Sequence, residues 1–600
     1  MHKLTLSIIF SLFCSLFFAF SQTPHFKVGL AKTDITTYIK GGGMLGYSMA
    51  FNTAESIETH LHARSFVIED ETKHRVAIVV CELCFITGEL KKAVMDLLQK
   101  EATTQDLKEE NVIITAQHTH CGPGGFCHYA SYNMSIPGYS AEIFTWLSKQ
   151  IAKSVVEASK QKVPCHLALN KGFFPDDWEV AFNRSLKAYN LNQDIKPLSA
   201  ENRHKAVNRE MTLLSFENED NTPMGSINWF GVHATNLSND IKAINADNKG
   251  YAATFLEEYY AKKSPNYVAA FAQGSAGDVT PKFIFNPHHT AQRGYWEGKF
   301  PDDIKSAKYN GDLQYQKAKE LIENKAKYFV KGGNIHCSLR YFDFSNIIID
   351  TAYSKTKEAK RTAPSCISMT MLGGALMDGP AAPIPVVTIG KFAAETVKIW
   401  ELSKAKGREN EWADAIRRKY SAQGKKDIIL ETGERKVLGT TDIQHLVIPG
   451  SLDGTLQSFK YFDRIGALSD IPWSPQILPI QLVQIGEIVL ACLPFEITTT
   501  AGYRFKKGLE DLYATENIKE IILCPYSNAY SGYLTTYEEY QAQMYEGGHT
   551  VFGEYSLSAL QTVFKELFRV KNVPFEQVEN RLLPPVFTEE ELRKRAFYRR

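Results

Sequence analysis

Asn111-Val-Ile-Ile-Thr115-Ala-Gln-His118-Thr-His120-Cys-Gly-Pro-Gly-Gly125 is a β-branched run that ends on two histidines and a glycine-rich turn. The run Val112–Thr115 reads as a buried strand, and Val76–Val80, Val268–Phe271 and Ile488–Leu490 have the same character. Longer amphipathic stretches alternate with them. Ala141–Ala158, Tyr251–Tyr260 and Ser556–Leu567 read as helices. The alternation predicts an α/β fold with mixed β-sheets flanked by helices, not an all-β or bundle design. Asp303 to Lys331 reads as a charged surface helix, and Glu401 to Lys426 as a helical excursion from the main body. Thr588 to Arg600 is dense in charge and reads as an exposed tail or short helix.

The chain has 600 residues, long enough for two or three domains, and 44% of them are hydrophobic, as in ordinary folded proteins. Its 68 basic residues nearly cancel 67 acidic ones. A net charge of +1 supplies no field to steer nucleic acid, so no nucleic-acid partner is expected. His2 and Lys3 precede an almost wholly apolar stretch from Leu4 to Phe20, closed by Ser21-Gln22-Thr23-Pro24. This is the pattern of a secretory signal peptide over residues 1–22, with a retained anchor as the alternative. A secreted or periplasmic protein is expected. Removing Cys14 with that segment leaves nine cysteines, an odd number, so at least one thiol stays unpaired or pairs between chains. Cys81-Glu-Leu-Cys84 has zinc-knuckle spacing but no second pair follows, and buried strand cysteines explain it better.

Residues two apart in an extended chain face the same side, so His118 and His120 are expected to project together beside the open turn. A metal site and a pair of structural histidines explain a bare His-x-His equally well. The metallo-β-lactamase pattern is excluded as a direct match, because Cys121-Gly122 stand where Asp-His would follow. A second apolar strand, Ile227-Asn-Trp-Phe-Gly-Val-His233, also delivers a histidine into a loop. Glu496 follows the buried run Ile488–Leu493, with Thr498-Thr-Thr500 as expected caps of the next helix. Thr536-x-x-Glu539 is a capping box, with Tyr533 just before its helix and Tyr545 near its end. Gln273-Gly-Ser-Ala-Gly-Asp278 lacks the lysine of a phosphate loop and the spacing of a nucleophile elbow.

Taken in order, these segments resemble the neutral (non-lysosomal) ceramidases. The matching pieces include Met44-Leu-Gly-Tyr47, His118-Thr-His-Cys-Gly-Pro-Gly-Gly125, Asn183-Arg-Ser-Leu-Lys-Ala-Tyr189 and Asn228-Trp-Phe-Gly-Val-His233. They continue with Asp247-Asn-Lys-Gly-Tyr-Ala252, Ala276-Gly-Asp-Val-Thr-Pro281, Met377-Asp-Gly-Pro380, Pro494-Phe-Glu-Ile-Thr-Thr-Thr-Ala-Gly502 and the stretch from Tyr533 to Gly547. The resemblance implies a zinc-dependent amidohydrolase that splits ceramide into a sphingoid base and a fatty acid. It implies one Zn2+ per chain held by His118, His233, Glu496 and Tyr533. His120 matches the histidine that handles protons, and Arg184 and Tyr545 match polar groups around the scissile amide. Thr280 stands where the family usually has serine, keeping the hydroxyl and adding a methyl.

The stretch from Lys282 to Ser338 matches the family poorly. Some fifty residues follow Gly547, too few for the immunoglobulin-like sandwich of about 100 residues that the family often carries. A single large catalytic domain over 23–570 with a tail over 571–600 is expected, with transient membrane-surface contact possible for a lipid substrate. The expected chemistry is attack of zinc-activated water on the amide carbon, with His120 taking the proton and Tyr545 or Arg184 stabilising the oxyanion. An amidase for other N-acyl lipids or N-acyl amino acids, and a secreted lipid-binding protein with a degenerate site, are the competing readings.

Overall fold

The computed structural model describes residues 25–49, 51–133, 135–136, 138–289, 294–444, 460–468 and 470–596. The expected signal segment lies outside them. The larger sheet is built from β1 (Phe26–Asp34), β2 (His62–Asp70), β3 (Arg75–Cys81), β4 (Val112–Ala116), β5 (Val163–Phe173), β6 (Glu210–Glu217), β7 (Pro223–Phe230) and β8 (Val268–Gln273). Their order is β8-β7-β6-β5-β1-β2-β3-β4, with Tyr328–Phe329 adding to β5. The pairs β7–β8 and β3–β4 at its two ends are parallel and the rest antiparallel, so the sheet is mixed, as predicted. A smaller mixed sheet runs β9 (Ile335–Asp343), β10 (Ile477–Ile485), β11 (Ile488–Cys492) and β12 (Glu520–Cys524).

Period-two patterning stacks these sheets between helices. Along β3, Val76, Ile78 and Val80 pack toward Ile488, Leu490 and Ile522 of the smaller sheet. The intervening Ala77, Val79 and Cys81 pack with Leu90 and Val94 of α1 (Gly88–Leu98) and Leu147 and Ile151 of α2 (Ala141–Lys160). At the β8 end, Ala269 and Phe271 meet Leu256 of α3 (Asp247–Tyr260) and Leu321 of α4 (Asp303–Glu323). The excursion consists of α5 (Ile384–Ala405) and α6 (Glu411–Gln423). The smaller sheet turns Leu482, Val489 and Ala491 toward Phe505 and Leu509 of α7 (Thr499–Leu512) and Leu560 and Phe564 of α8 (Ser556–Arg569). Helix, sheet, sheet and helix thus form successive layers. A strand with apolar contacts on both faces, such as β4, reads as a continuous hydrophobic run for this reason.

Three local expectations change. Helix α4 stops at Glu323, and Leu313, Ala318, Leu321 and Ile322 bury one face, so charge density concealed an amphipathic helix. The excursion begins at Ile384, well before its charged part, and α6 packs Ala413, Ile416 and Tyr420 against Ala405. The expected short terminal helix is present over Glu589–Lys594, but Arg595 just beyond it is buried and donates to the carbonyls of His128 and Ala467. All nine described cysteines are free thiols.

The β1–α2 contact depends on a missing side chain. A Cβ on Gly29 would lie 1.8 Å from the carbonyl oxygen of Ala158. Backbone cannot yield there as a flexible side chain could. Gly29→Ala is expected to destabilise by about 3 kcal/mol, the upper range for overpacking, read as a lower urea midpoint with unchanged slope.

Candidate metal centre

Strand β4 ends at Ala116, and the chain then folds back instead of staying extended. His118 adopts φ 75°, in the left-handed region. The two histidines do come together, with Nε2 atoms 3.1 Å apart, but by this turn and not by the two-residue period of a strand. The turn carries the His118 ring under the loop after β3. There its Nδ1 donates to the Cys84 carbonyl at 2.6 Å, which turns Nε2 toward His120 and Glu496. His233, three residues past β7, is oriented alike: Nδ1 donates to the Val279 carbonyl at 3.0 Å.

Glu496 and Tyr533 reach the same point through one backbone device. Glu496–Ile497 and Tyr533–Leu534 form a two-residue parallel ladder in which Glu496 and Tyr533 are direct partners. Glu496 Oε2 lies 3.4 Å from His118 Nε2 and 3.2 Å from His233 Nε2, and Tyr533 Oη lies 3.3 Å from His233 Nε2. Donor atoms of His118, His233 and Glu496 all fall within 4.8 Å of one another. Cys84, His118 and His120 form a second, overlapping group of the same kind. Tyr526 donates to Glu496 Oε2 at 3.2 Å and Tyr530 donates to Oε1, so both carboxylate oxygens are held.

Arg184 is fully buried behind Tyr533. Its Nε donates to Glu546 at 2.9 Å and Nη1 to Asp378 at 2.5 Å, while Nη2 donates to the Gly277 carbonyl at 2.8 Å and to Tyr533 Oη at 3.0 Å. Tyr545 packs edge-on to Tyr533, ring centres 5.4 Å apart, with the Arg184 guanidinium 5.5 Å from its own ring centre. Thr280 does not touch the donor cluster. Its hydroxyl donates to Asp378 at 2.5 Å, beside Thr235 at 2.7 Å, so it steadies the carboxylate that pairs with Arg184. Thr498 stands at the N-cap of α7, as expected, but its side chain does not bond the helix. Thr498 gives its hydroxyl to Glu539, and Asp278 accepts from the backbone and hydroxyl of Thr499 instead.

The electrostatics match a site made for a cation. Burial disfavours a charged His118, yet Glu496 outweighs it and the imidazole is pushed up to about 10. Burial also works on Glu496, but His118 and His233 hold its carboxyl well below the usual range. His120 is driven down by burial and by His118 and His233. Burial raises the Tyr533 phenol, with Glu496 adding to the rise and Arg184 opposing it. Asp378, Glu546 and Glu496 thus face Arg184 and one protonated histidine. A divalent ion that displaced the His118 proton would bring this set to neutrality. Two imidazoles with fixed tautomers, a carboxylate and a phenol beside a guanidinium fit zinc as donors.

The sequence profile of the family described as neutral/alkaline non-lysosomal ceramidase, N-terminal, matches residues 26–449 and 461–562. This chain belongs to that family. It is similar to the neutral ceramidase of Pseudomonas aeruginosa, 29% identical over 544 residues that cover 90% of this chain and 71% of the relative. Neutral ceramidase B of Dictyostelium discoideum is 28% identical over 582 residues, covering 91% and 72%. The crystal structure of the Pseudomonas aeruginosa neutral ceramidase superposes with a TM-score of 0.72 at 28% identity, over 94% of this chain and 77% of that one. A ceramidase complexed with C2 superposes with a TM-score of 0.75 over 94% and 78%.

Within this ceramidase-family chain, sequence reasoning assigned no role to Tyr526, Tyr530, Asp278, Asp378 or Glu546, while the capping box of Thr536 and Glu539 is present as expected. Met377-Asp-Gly-Pro380 was visible as a family-like segment, but Asp378's partners lie far away in sequence. The loop around Tyr526 and Tyr530 carries no spacing signal.

Two predictions follow from this geometry. Gly46 has φ 127°, and a Cβ there would lie 2.3 Å from Cγ of His120. Gly46→Ala is expected to lower kcat about 10²-fold through displacement of His120 while bound metal stays near wild type. Tyr530→Phe removes a hydrogen bond to Glu496, and is expected to weaken metal affinity about tenfold in competition with a chromophoric chelator.

Proposed function

We propose that this chain hydrolyses the amide bond of ceramide to a sphingoid base and a free fatty acid, with one zinc ion per chain held by His118, His233, Glu496 and Tyr533. The observation that carries the reading is the donor cluster: the Nε2 atoms of two oriented imidazoles and a doubly held carboxylate meet at a buried point. Family membership and relatives named as neutral ceramidases support the substrate. When bound, zinc polarises a carbonyl and lowers the pKa of coordinated water to about 7.

The chain's own residues supply the rest. Arg184 fixes the Tyr533 oxygen and favours its ionised form through Nη2. His120 Nε2 stands 3.1 Å from His118 Nε2, within reach of a proton on anything bound to the cluster. It accepts that proton and returns it to the departing nitrogen. Tyr545, packed against Tyr533, is the side chain offered to the amide oxygen, and a donor there stabilises an oxyanion by about 3 kcal/mol, while the guanidinium acts through Tyr533. Export through residues 1–22 and a catalytic unit over 23–570, followed by the stretch 571–600, belong to the same reading.

The purified protein is expected to release fatty acid from ceramide, to lose that activity with a chelator and to regain it with zinc. Mass spectrometry of the released acid is the readout. Release from N-acyl amino acids but not ceramide would move the substrate class, and no release from any N-acyl compound would leave only lipid binding. His233→Ala and Glu496→Ala are each expected to lose at least about tenfold in metal affinity. Full metal and full activity in both would sink the assignment.

A further inference from the structure

Helix α5 carries its apolar side outward. Ile389, Phe392, Ile399 and Trp400 are 70%, 75%, 61% and 53% exposed. With Thr396 and Ser403 they follow the three- and four-residue steps that keep side chains on one helix face. No charge interrupts that face, and an exposed apolar stripe of this size marks an interaction surface. Ile384, at the start of the helix, is 81% exposed as well, on a neighbouring side. The side chains that pack α5 inward are few: Ala394, Glu401 and Ala405 are the buried ones.

The ends of the helix show what the stripe meets. The Lys404 ammonium lies 3.7 Å from the centre of the Trp400 ring, and Lys406 and Arg408 are exposed just beyond. Lys391 and Lys398 turn to the other side of the helix, toward Asp427 and the Gly424 carbonyl, so the cations beside the stripe are those at its C-terminal end. Glu401 is neutralised in the interior by Lys419 at 2.6 Å. A stripe of isoleucine, phenylalanine and tryptophan that ends beside Lys404, Lys406 and Arg408 suits a lipid–water interface, where an aromatic ring sits at headgroup level beside cations. No helix among the described residues is long and apolar enough to cross a membrane, so α5 would lie on a bilayer and not span it.

The helix is also continuous with the candidate centre. Leu376 is 55% exposed with φ 52°, and two residues later Asp378 is buried on Arg184, Thr235 and Thr280. Six residues after Asp378 the helix begins. One short segment therefore joins the apolar surface to the carboxylate that holds Arg184.

We propose that the exposed face of α5, with Leu376, docks this protein on a phospholipid bilayer and sets the segment that leads to Asp378 and the candidate centre at the lipid surface. The inference rests on the ceramide reading for its purpose, but binding is measured without catalysis. The test is co-sedimentation with vesicles of phosphatidylcholine containing phosphatidylglycerol, comparing wild type with the double variant Phe392→Ser, Trp400→Ser. Both positions are exposed, so folding should be unaffected, and circular dichroism and hydrolysis of a soluble short-chain N-acyl substrate check this. Wild type is expected to bind, the variant about tenfold more weakly, with hydrolysis of vesicle-borne substrate falling and that of the soluble substrate unchanged. Equal binding by both proteins, or no binding by wild type, would overturn the proposal. So would a wild-type dimer in sedimentation that the variant dissolves, since a second copy would then cover this face. Vesicle binding without amidase activity would sink the ceramide reading alone.

Discussion

A buried guanidinium organises the candidate centre. Arg184 comes from the loop after β5, and its partners come from four other places: Gly277 after β8, Asp378 before α5, Tyr533 from the short parallel ladder, and Glu546 from the turn that follows. A charge removed from water is tolerated only when it is paired and its remaining hydrogens are satisfied, and breaking such a pair typically costs 3–5 kcal/mol, on the order of magnitude measured for buried pairs. That constraint draws five separate segments to one point. It also sets a positive charge 3.0 Å from the Tyr533 oxygen, which opposes the rise that burial and Glu496 impose on that phenol. The same guanidinium thus serves both the packing and the electrostatics of the candidate centre.

The layered architecture determines why these segments can meet. Parallel pairs close both ends of the larger sheet, and β4 and β7 each release a histidine loop at their carboxyl ends. The smaller sheet, stacked on the first, releases Glu496 after β11 and the Tyr526–Tyr533 loop after β12. The bridge between Thr115 and Ser527, with the Asn528 amide donating to Ile114 at 2.8 Å, stitches the end of β4 to that loop. Two sheets that share an apolar core therefore deliver four donors to one buried place. Helix α5 departs from this economy, since it adds little to the core and leaves its apolar side uncovered.

Much of this was legible in the amino-acid sequence. Strands such as β3, β4 and β11 announce themselves by β-branched runs, because burial on both faces removes the polar alternation. The histidine loops, Glu496 and the two tyrosines stood out through their motifs and through resemblance to a family. Charge misled at α4 and α6, where one apolar face decides packing and the charges merely occupy the other side. The His118–His120 pair shows the limit of spacing arguments. The extended period predicts that the rings adjoin, and they do, but only because His118 turns to φ 75° and its Nδ1 finds the Cys84 carbonyl.

The sequence by itself determined the secondary-structure alternation, the family and the identity of the candidate donors, since each is written in local pattern or in ordered motifs. The tertiary structure alone decided which atoms face one another. It placed Glu496 opposite Tyr533 by strand register, gave Thr280 to Asp378 in place of the donor cluster, and held Glu496 with Tyr526 and Tyr530. It also fixed both imidazole tautomers through backbone carbonyls from other loops. These choices depend on contacts between residues tens to hundreds of positions apart, and no local propensity encodes a contact whose partner lies in another layer of the fold.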